Sequence, residues 1–381
     1  MISFENIDFD NKQVFLRVDF NVPLENKKVT NDFRIRQTTP TIHKILNNGG
    51  SIILVTHIGR PKEGEEDPNL STSILIPALE SALHMPVKFK KDWIKGVEIN
   101  KGEVVLCENV RFLKGETSND LQLAKDMSKL CDIFINEAFS NSHRAHASNY
   151  GVAQNSEIKA PGPLFLSEIQ ALHKIIKKNE SPSVAIVGGS KISSKTALIR
   201  NLSEKVDHLI LGGGIANLII KARGFQIGQS LFEETAFEET RRMIKDINNI
   251  IFPIDVVCAN EFNKMATGTI KYLNEITEND FILDFGPRTL EKIGAKLGPA
   301  KTILWNGPLG VFEFDNFAYG TRTMAELIAE SSAFSVAGGG DTIASIEKFH
   351  VSDKISYIST AGGAFLEFLE GKKSPVISIL E

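Results

Sequence analysis

Short runs of β-branched and aromatic residues alternate along this chain with longer stretches whose apolar residues recur at helical spacing. "QVFLRVDF" (Gln13 to Phe20), "SIILVTH" (Ser51 to His57), "GEVVLCE" (Gly102 to Glu108) and "CDIFIN" (Cys131 to Asn136) read as buried strands. Between them, "DFRIRQTTPTIHKILNN" and "NDLQLAKDMSKL" carry the helical period. The alternation resumes with "SPSVAIVGG", "VDHLILGGG", "NNIIFPIDVV", "NDFILDFG", "KTILWNG", "SAFSVAGGG" and "KISYISTAGG". Helical stretches such as "SSKTALIRNLSEK" and "DTIASIEKF" separate these runs. Strand then helix, repeated, predicts an α/β fold of parallel sheets with helices on both faces.

The pattern breaks between Ile158 and Ser183. Pro161, Gly162 and Pro163 punctuate it, a helix-period segment follows, and "NESPS" ends it. At 381 residues the chain is too long for one typical core. The expected organisation is two doubly wound, Rossmann-like domains joined by a helix, with a cleft between them. The N-terminal domain spans 1–162, the linker helix 163–178 and the C-terminal domain 179–358, with a final segment 359–381.

Composition narrows the function. Apolar content of 42% and charged content of 24% are those of an ordinary globular protein. A net charge of −4 argues against a nucleic-acid partner, so any anion site must be built locally from a few cations. Cys107, Cys131 and Cys258 lie far apart without a CxxC spacing, as expected of buried thiols in a reducing compartment. With no secretory signal, apolar span or lipidation cysteine to be seen, a cytoplasmic protein without membrane contact is expected.

Candidate chemistry sits at the ends of the strand runs. In the second half these ends are glycines: Gly188-Gly189, Gly212 to Gly214, Gly286, Gly307, Gly338 to Gly340 and Gly362-Gly363. Ligands of open α/β sheets bind beyond the carboxyl ends of the strands, where glycine lets the backbone approach a phosphate. Neither a GxxxxGK[ST] loop nor a GxGxxG fingerprint is present, so neither a P-loop enzyme nor a dinucleotide-binding dehydrogenase is expected.

In the first half the ends carry Arg17 and Asp19, His57 and Arg60, Arg111, and His143 with Arg144; Arg34 opens the first long helix. Taken alone, "NSHRAHAS" (Asn141 to Ser148) reads as a solvated turn, a weak metal site or an anion site. Cations at successive strand ends converge on one sheet edge, where their repulsion favours an anion. An anion pocket in one half and a nucleotide site in the other point to phosphoryl transfer with closure that excludes water.

Eight motifs, "RVDFNVP", "THIGRP", "ENVRF", "HRAHAS", "GGSKISSK", "WNGPLGVFE", "GGGDT" and "STAGGAFLE", occur in the order in which the phosphoglycerate kinase family shows them. The chain resembles that family over essentially its whole length. The resemblance implies reversible phosphoryl transfer from 1,3-bisphosphoglycerate to ADP, giving 3-phosphoglycerate and ATP, with Mg²⁺, by a monomeric glycolytic enzyme. A catalytically impaired homologue that binds nucleotide or phosphometabolite is the alternative.

By the same resemblance Asp19, Phe20, Asn21 and Arg34 would hold the carboxylate and hydroxyl end of phosphoglycerate. His57, Ile58, Gly59, Arg60, Arg111 and Arg144 would receive its 3-phosphate, with His143 and His146 as supporting groups. Lys191, Lys195, Gly213, Gly214, Gly286, Asn306, Glu313, Gly339, Gly340, Asp341 and Thr342 would contact the nucleotide, and Asp341 the Mg²⁺. Arg34, Lys191, Lys195, Gly340 and Gly362 would serve the transfer itself. The final segment from about Ser359 would pack back on the first domain. Four positions depart from the family's usual residues: Glu137 for aspartate, Ser140 and Ala361 for glycine, and Phe365 for a small hydroxyl residue.

Overall fold

The computed structural model describes residues 3–176 and 180–381, so Lys178, the expected end of the linker helix, lies outside the described residues. Two units separate by their contacts. One extends to Ile169 and takes in Lys373–Glu381; the other is Gln170–Lys372.

The first unit is built on six parallel strands, β1 (Gln13–Arg17), β2 (Ser51–Val55), β3 (Lys88–Lys90), β4 (Val104–Cys107), β5 (Ile133–Asn136) and β6 (Ile158–Pro161), in the order β3-β4-β2-β1-β5-β6. The central strands are buried along nearly their whole length and apolar in their interiors because helices or loops cover both faces. Helix α1 (Phe33–Asn47) lays Ile35, Ile42 and Ile45 into the same core as Val14, Leu16, Ile52 and Leu54. Pro40 inside α1 has no N–H for the Arg36 carbonyl, and the Thr39 hydroxyl donates to that carbonyl instead at 2.8 Å. Strand β1 ends at Arg17, earlier than "QVFLRVDF" suggests. The Phe20 N–H is taken by the Thr56 hydroxyl at 2.9 Å, so the chain leaves the ladder and its side chains are free to form a site.

The second unit has a five-stranded parallel sheet of β7 (Ser183–Gly188), β8 (His208–Gly212), β12 (Thr302–Asn306), β13 (Phe334–Gly338) and β14 (Tyr357–Ser359), ordered β8-β7-β12-β13-β14. The intervening strands β9 (Asp255–Ala259), β10 (Thr269–Tyr272) and β11 (Phe281–Phe285) do not join it. They form a separate antiparallel sheet, β10-β9-β11, which corrects the expectation that every strand run of this half is parallel. No helix of the length that a parallel crossover needs lies between β9 and β11.

The end of the chain divides. After β14 a helix, Gly363–Leu369, buries Ala364, Phe365 and Leu369, and Asn201 donates to the Leu369 carbonyl at 2.5 Å. This part belongs to the second unit, whereas the helix Pro375–Leu380 belongs to the first. It is tied there by the Ser374 hydroxyl and the Val376 N–H, which both donate to the Ser142 carbonyl, at 2.5 and 3.3 Å. Among the described residues no helix is long and apolar enough to cross a membrane.

Candidate active site

Beyond the carboxyl ends of β1, β2, β4 and β5, the first unit gathers cations. Burial lowers Arg111 to about 10, and Arg17, Arg144 and Arg60 act on it in the same direction. Burial takes His146 down to about 4, helped by Arg17, Arg111, Arg144 and His143. These groups are therefore close enough to destabilise one another's charge, which is the signature of a site for an anion. Arg60 and Arg144 are exposed, while Arg17, His57 and Arg111 are buried. Backbone and side chains hold the rim in place: Arg111 Nη1 donates to the Gly59 carbonyl at 2.7 Å, and Asn109 Nδ2 to the Ile58 carbonyl at 2.9 Å.

Asp19, Asn21 and Arg34 form a second group. Arg34 Nη1 donates to Asp19 Oδ2 at 2.7 Å and to the Asn21 carbonyl at 3.1 Å. Asn21 Oδ1 accepts from the Gly59 N–H at 2.9 Å, which joins this group to the cation cluster. Burial alone would raise the Asp19 carboxyl, but the Arg34 guanidinium and the hydrogen bonds from the Ser140 hydroxyl and the Asn21 N–H hold the acid below its ordinary value. Phe20 is fully buried, so its ring does not face a ligand, and its N–H is engaged by the Thr56 hydroxyl.

In the second unit a cleft of about 390 Å³ opens beyond the strand ends, lined by Gly189, Gly213, Gly214, Asn217, Leu283, Val311, Glu313 and Asp341, among others. Lys195 Nζ donates to the Gly188 carbonyl at 2.5 Å and to Asn306 Oδ1 at 2.8 Å. Burial lowers this ammonium to about 8, while Asp341 pulls the other way. Asn306 Nδ2 and Thr342 Oγ1 both donate to the Gly338 carbonyl, at 2.6 and 2.9 Å, and the Gly307 N–H donates to Thr342 Oγ1 at 2.7 Å. These bonds set Gly339 and Gly340 at the start of the helix Gly340–Lys348, with Asp341 in its first turn. The amides of such a start favour an anion. Lys191 is exposed near Glu233, which lies lower than usual through its hydrogen bonds to Ser193 and through that lysine.

Not every glycine faces this cleft. A Cβ on Gly188 would strike the Pro308 carbonyl, and one on Gly307 the backbone of Gly188, so this pair is small because two chain segments cross there. Gly286 does not line the cleft either. The Asp255 carboxylate fills the space beside it and accepts from the Arg288 and Thr289 N–H groups at the start of Pro287–Leu297.

A family model described as phosphoglycerate kinase matches residues 4–372. The chain belongs to the phosphoglycerate kinase family. Phosphoglycerate kinases of Francisella philomiragia and Francisella tularensis subsp. novicida are each 50% identical to it, covering 100% of this chain and 98% of theirs. Among solved structures, the phosphoglycerate kinase of Coxiella burnetii superposes with a TM-score of 0.96 at 45% identity, and that of Pyrococcus horikoshii OT3 with 0.82 at 31%. Each covers 100% of this chain and 98% of the other. The family places the chain among the phosphotransferases.

Three residues at which the chain departs from the usual phosphoglycerate kinase pattern now have a physical setting. Ser140 donates to Asp19 Oδ2 at 2.5 Å, a bond that a glycine could not make. Ala361 is not among the described residues of positive φ; the value of 55° falls on Gly362, so the alanine carries no strain of that kind. The Phe365 ring is fully buried against Gly338, where a Cβ would clash with it. Sequence reasoning missed Glu116, Ser148, Asn109 and Asp284. Asp284 accepts from the Gly320 N–H at 2.6 Å beside the cleft, and burial raises it to about 7.

Proposed function

We propose that this chain catalyses the reversible transfer of the acyl phosphate of 1,3-bisphosphoglycerate to ADP, giving 3-phosphoglycerate and ATP, in the cytoplasmic reactions of glycolysis. The observation that carries the reading is the cation cluster of the first unit, in which Arg17, Arg60, Arg111 and Arg144 gather beside the His57 and His146 rings, with Glu116 against Arg17 and Arg111. Four arginines, with Arg34 beside them, carry more positive charge than the Glu116 and Asp19 carboxylates offset, and a phosphorylated acid supplies the remainder. Arg60, Arg111 and Arg144 take the 3-phosphate, and Asp19, Asn21 and Arg34 the hydroxyl and carboxyl end. In the second unit the cleft takes the nucleoside, with Glu313 at the ribose. Lys191, Lys195 and the amides at Gly339 to Thr342 take the phosphates.

The chemistry needs no general base, because the carboxylate oxygen of the substrate is itself the nucleophile or leaving group. Catalysis rests on alignment and on cancelling the charge of the transferred group by Arg34 from the acid side and Lys191 and Lys195 from the nucleotide side, with the amides at Gly340 and Gly362. Asp341 suits a magnesium ion that arrives with the nucleotide. It is one exposed carboxylate at a helix start, and the described residues hold no group of three acidic, histidine or cysteine ligands that would bind a metal alone. When bound, that ion would neutralise phosphate charge. Hinge-bending of a monomer brings the two ligands together.

The test is NADH oxidation through glyceraldehyde-3-phosphate dehydrogenase, on protein given ATP, Mg²⁺ and 3-phosphoglycerate, with Lys195→Ala in parallel. Turnover that needs both substrates and disappears in the variant supports the reading. A folded wild type that binds both ligands without turnover contradicts it.

A further inference from the structure

The motif NSHRAHAS contributes more than Arg144. Ser148 is fully buried between two buried charges. Its Oγ donates to Glu116 Oε1 at 2.5 Å and accepts from Arg17 Nε at 3.0 Å, while its N–H donates to Glu116 Oε2 at 2.9 Å. A hydroxyl has one proton, so giving it to the carboxylate leaves only lone pairs for the guanidinium and fixes the direction of this chain of bonds. Arg17 Nη1 donates to the Val18 carbonyl, and Nη2 lies 3.4 Å from His57 Nδ1. A guanidinium has five donors, no acceptor and a charge it does not lose, so the ring nitrogen it faces is one that carries no hydrogen.

The groups that face His57 are Arg17 and Asp19 on β1 and the segment after it, Arg111 after β4, and His146. Burial, then Arg17, holds the ring well below its ordinary value; Asp19 opposes this and Arg111 and His146 reinforce it. The ring is thus neutral, with the Arg17 and Arg111 guanidiniums outweighing the single Asp19 carboxylate that faces it.

We propose that Arg17, fixed by Ser148 and Glu116, is a positioning residue that holds His57 as the neutral tautomer with its proton on Nε2. The substrate pocket then receives an uncharged N–H donor of fixed direction, and Arg60, Arg111 and Arg144 supply the charge. This role for the ring rests on the reading that His57 contacts phosphoglycerate.

The test is nitrogen NMR of the intact protein carrying isotope-labelled histidine, with the His57 signal assigned by its loss in His57→Gln. The expected spectrum has one hydrogen-bearing nitrogen, Nε2, from about pH 5.5 to pH 8, and that nitrogen shifts on addition of 3-phosphoglycerate. A proton on Nδ1, or a ring that becomes doubly protonated near its ordinary pKa, overturns the proposal. A fixed Nε2 proton with no response to 3-phosphoglycerate leaves the positioning intact and removes His57 from the substrate site instead. Arg17→Lys keeps a positive charge opposite Glu116, but one ammonium cannot serve Ser148, Val18 and His57 together. It should show both tautomers and raise KM for 3-phosphoglycerate about tenfold, with a smaller change in kcat. An unchanged single tautomer in that variant means that Arg17 does not set it, and the proposal fails.

Discussion

Lys195 is expected to cost stability and to confer activity, and the two effects separate in Lys195→Met. Burial lowers this amine from 10.5 to about 8. At ~1.36 kcal/mol per pKa unit, the charged form is held in the folded state at a cost of roughly 3 kcal/mol. Removing the ammonium also removes the donor to the Gly188 carbonyl and to Asn306 Oδ1, a loss of about 1 kcal/mol each. The net expectation at pH 7 is a variant more stable by about 1 kcal/mol. The sign with pH follows from linkage. Between about 8 and 10.5 the unfolded chain holds a proton that the folded chain has lost, so wild-type stability recovers as pH rises through that window. The advantage of the variant should therefore shrink there. Turnover should fall by ~10²–10³, the usual effect of deleting one charge that meets the transition state. Urea unfolding followed by circular dichroism at pH 7 and near pH 9.5 gives the first quantity, and the coupled NADH assay the second. A variant less stable by more than about 1 kcal/mol at pH 7, or one with turnover close to wild type, would refute the reasoning.

Other consequences are simpler to state. Arg34→Ala should lose turnover by ~10²–10³ while keeping its circular dichroism spectrum; near-normal turnover would remove Arg34 from the transfer step. Glu137 is buried, its carboxyl raised from 4.5 to about 7 by that burial despite hydrogen bonds from Thr41 and the Phe165 N–H. The folded state binds its proton more tightly, so this residue lowers stability as pH rises from about 4.5 to about 7. Glu137→Gln should therefore melt higher than wild type at pH 8 and lose that advantage near pH 4.5; a constant difference across this range would contradict it. Phe365→Ser should destabilise the second unit by about 3–5 kcal/mol, through loss of a buried ring, and an unchanged melting temperature would show that the ring does not pack on Gly338.

Strand runs and the residues at their ends were legible because a parallel sheet covered on both faces imposes an apolar run and releases its side chains at the carboxyl edge. Arg17, His57, Arg111 and Arg144 could be named on that ground, and the structure gathers them. Glu116 could not. It lies in "KGETSND", a stretch with every mark of a solvated turn, and only the tertiary fold places Arg17 and Ser148 against it. The antiparallel sheet was hidden for a related reason: β9 and β11 are apolar runs like the others, and β10, the strand that turns back on β9, is mostly exposed and shows no such run. Glycines at strand ends overstated the ligand contact, since Gly188 with Gly307 and Gly286 answer to crossing backbone and to Asp255 instead.

The central claim is that one set of residues holds the phosphorylated acid and another the nucleotide. Calorimetric titration of ATP and of 3-phosphoglycerate, each into Arg111→Met and Lys195→Met, tests it directly. The account predicts a crossed result, with 3-phosphoglycerate affinity lost only in Arg111→Met and ATP affinity only in Lys195→Met, each by about tenfold or more. Equal losses of both ligands in either folded variant, or no loss in either, would contradict it.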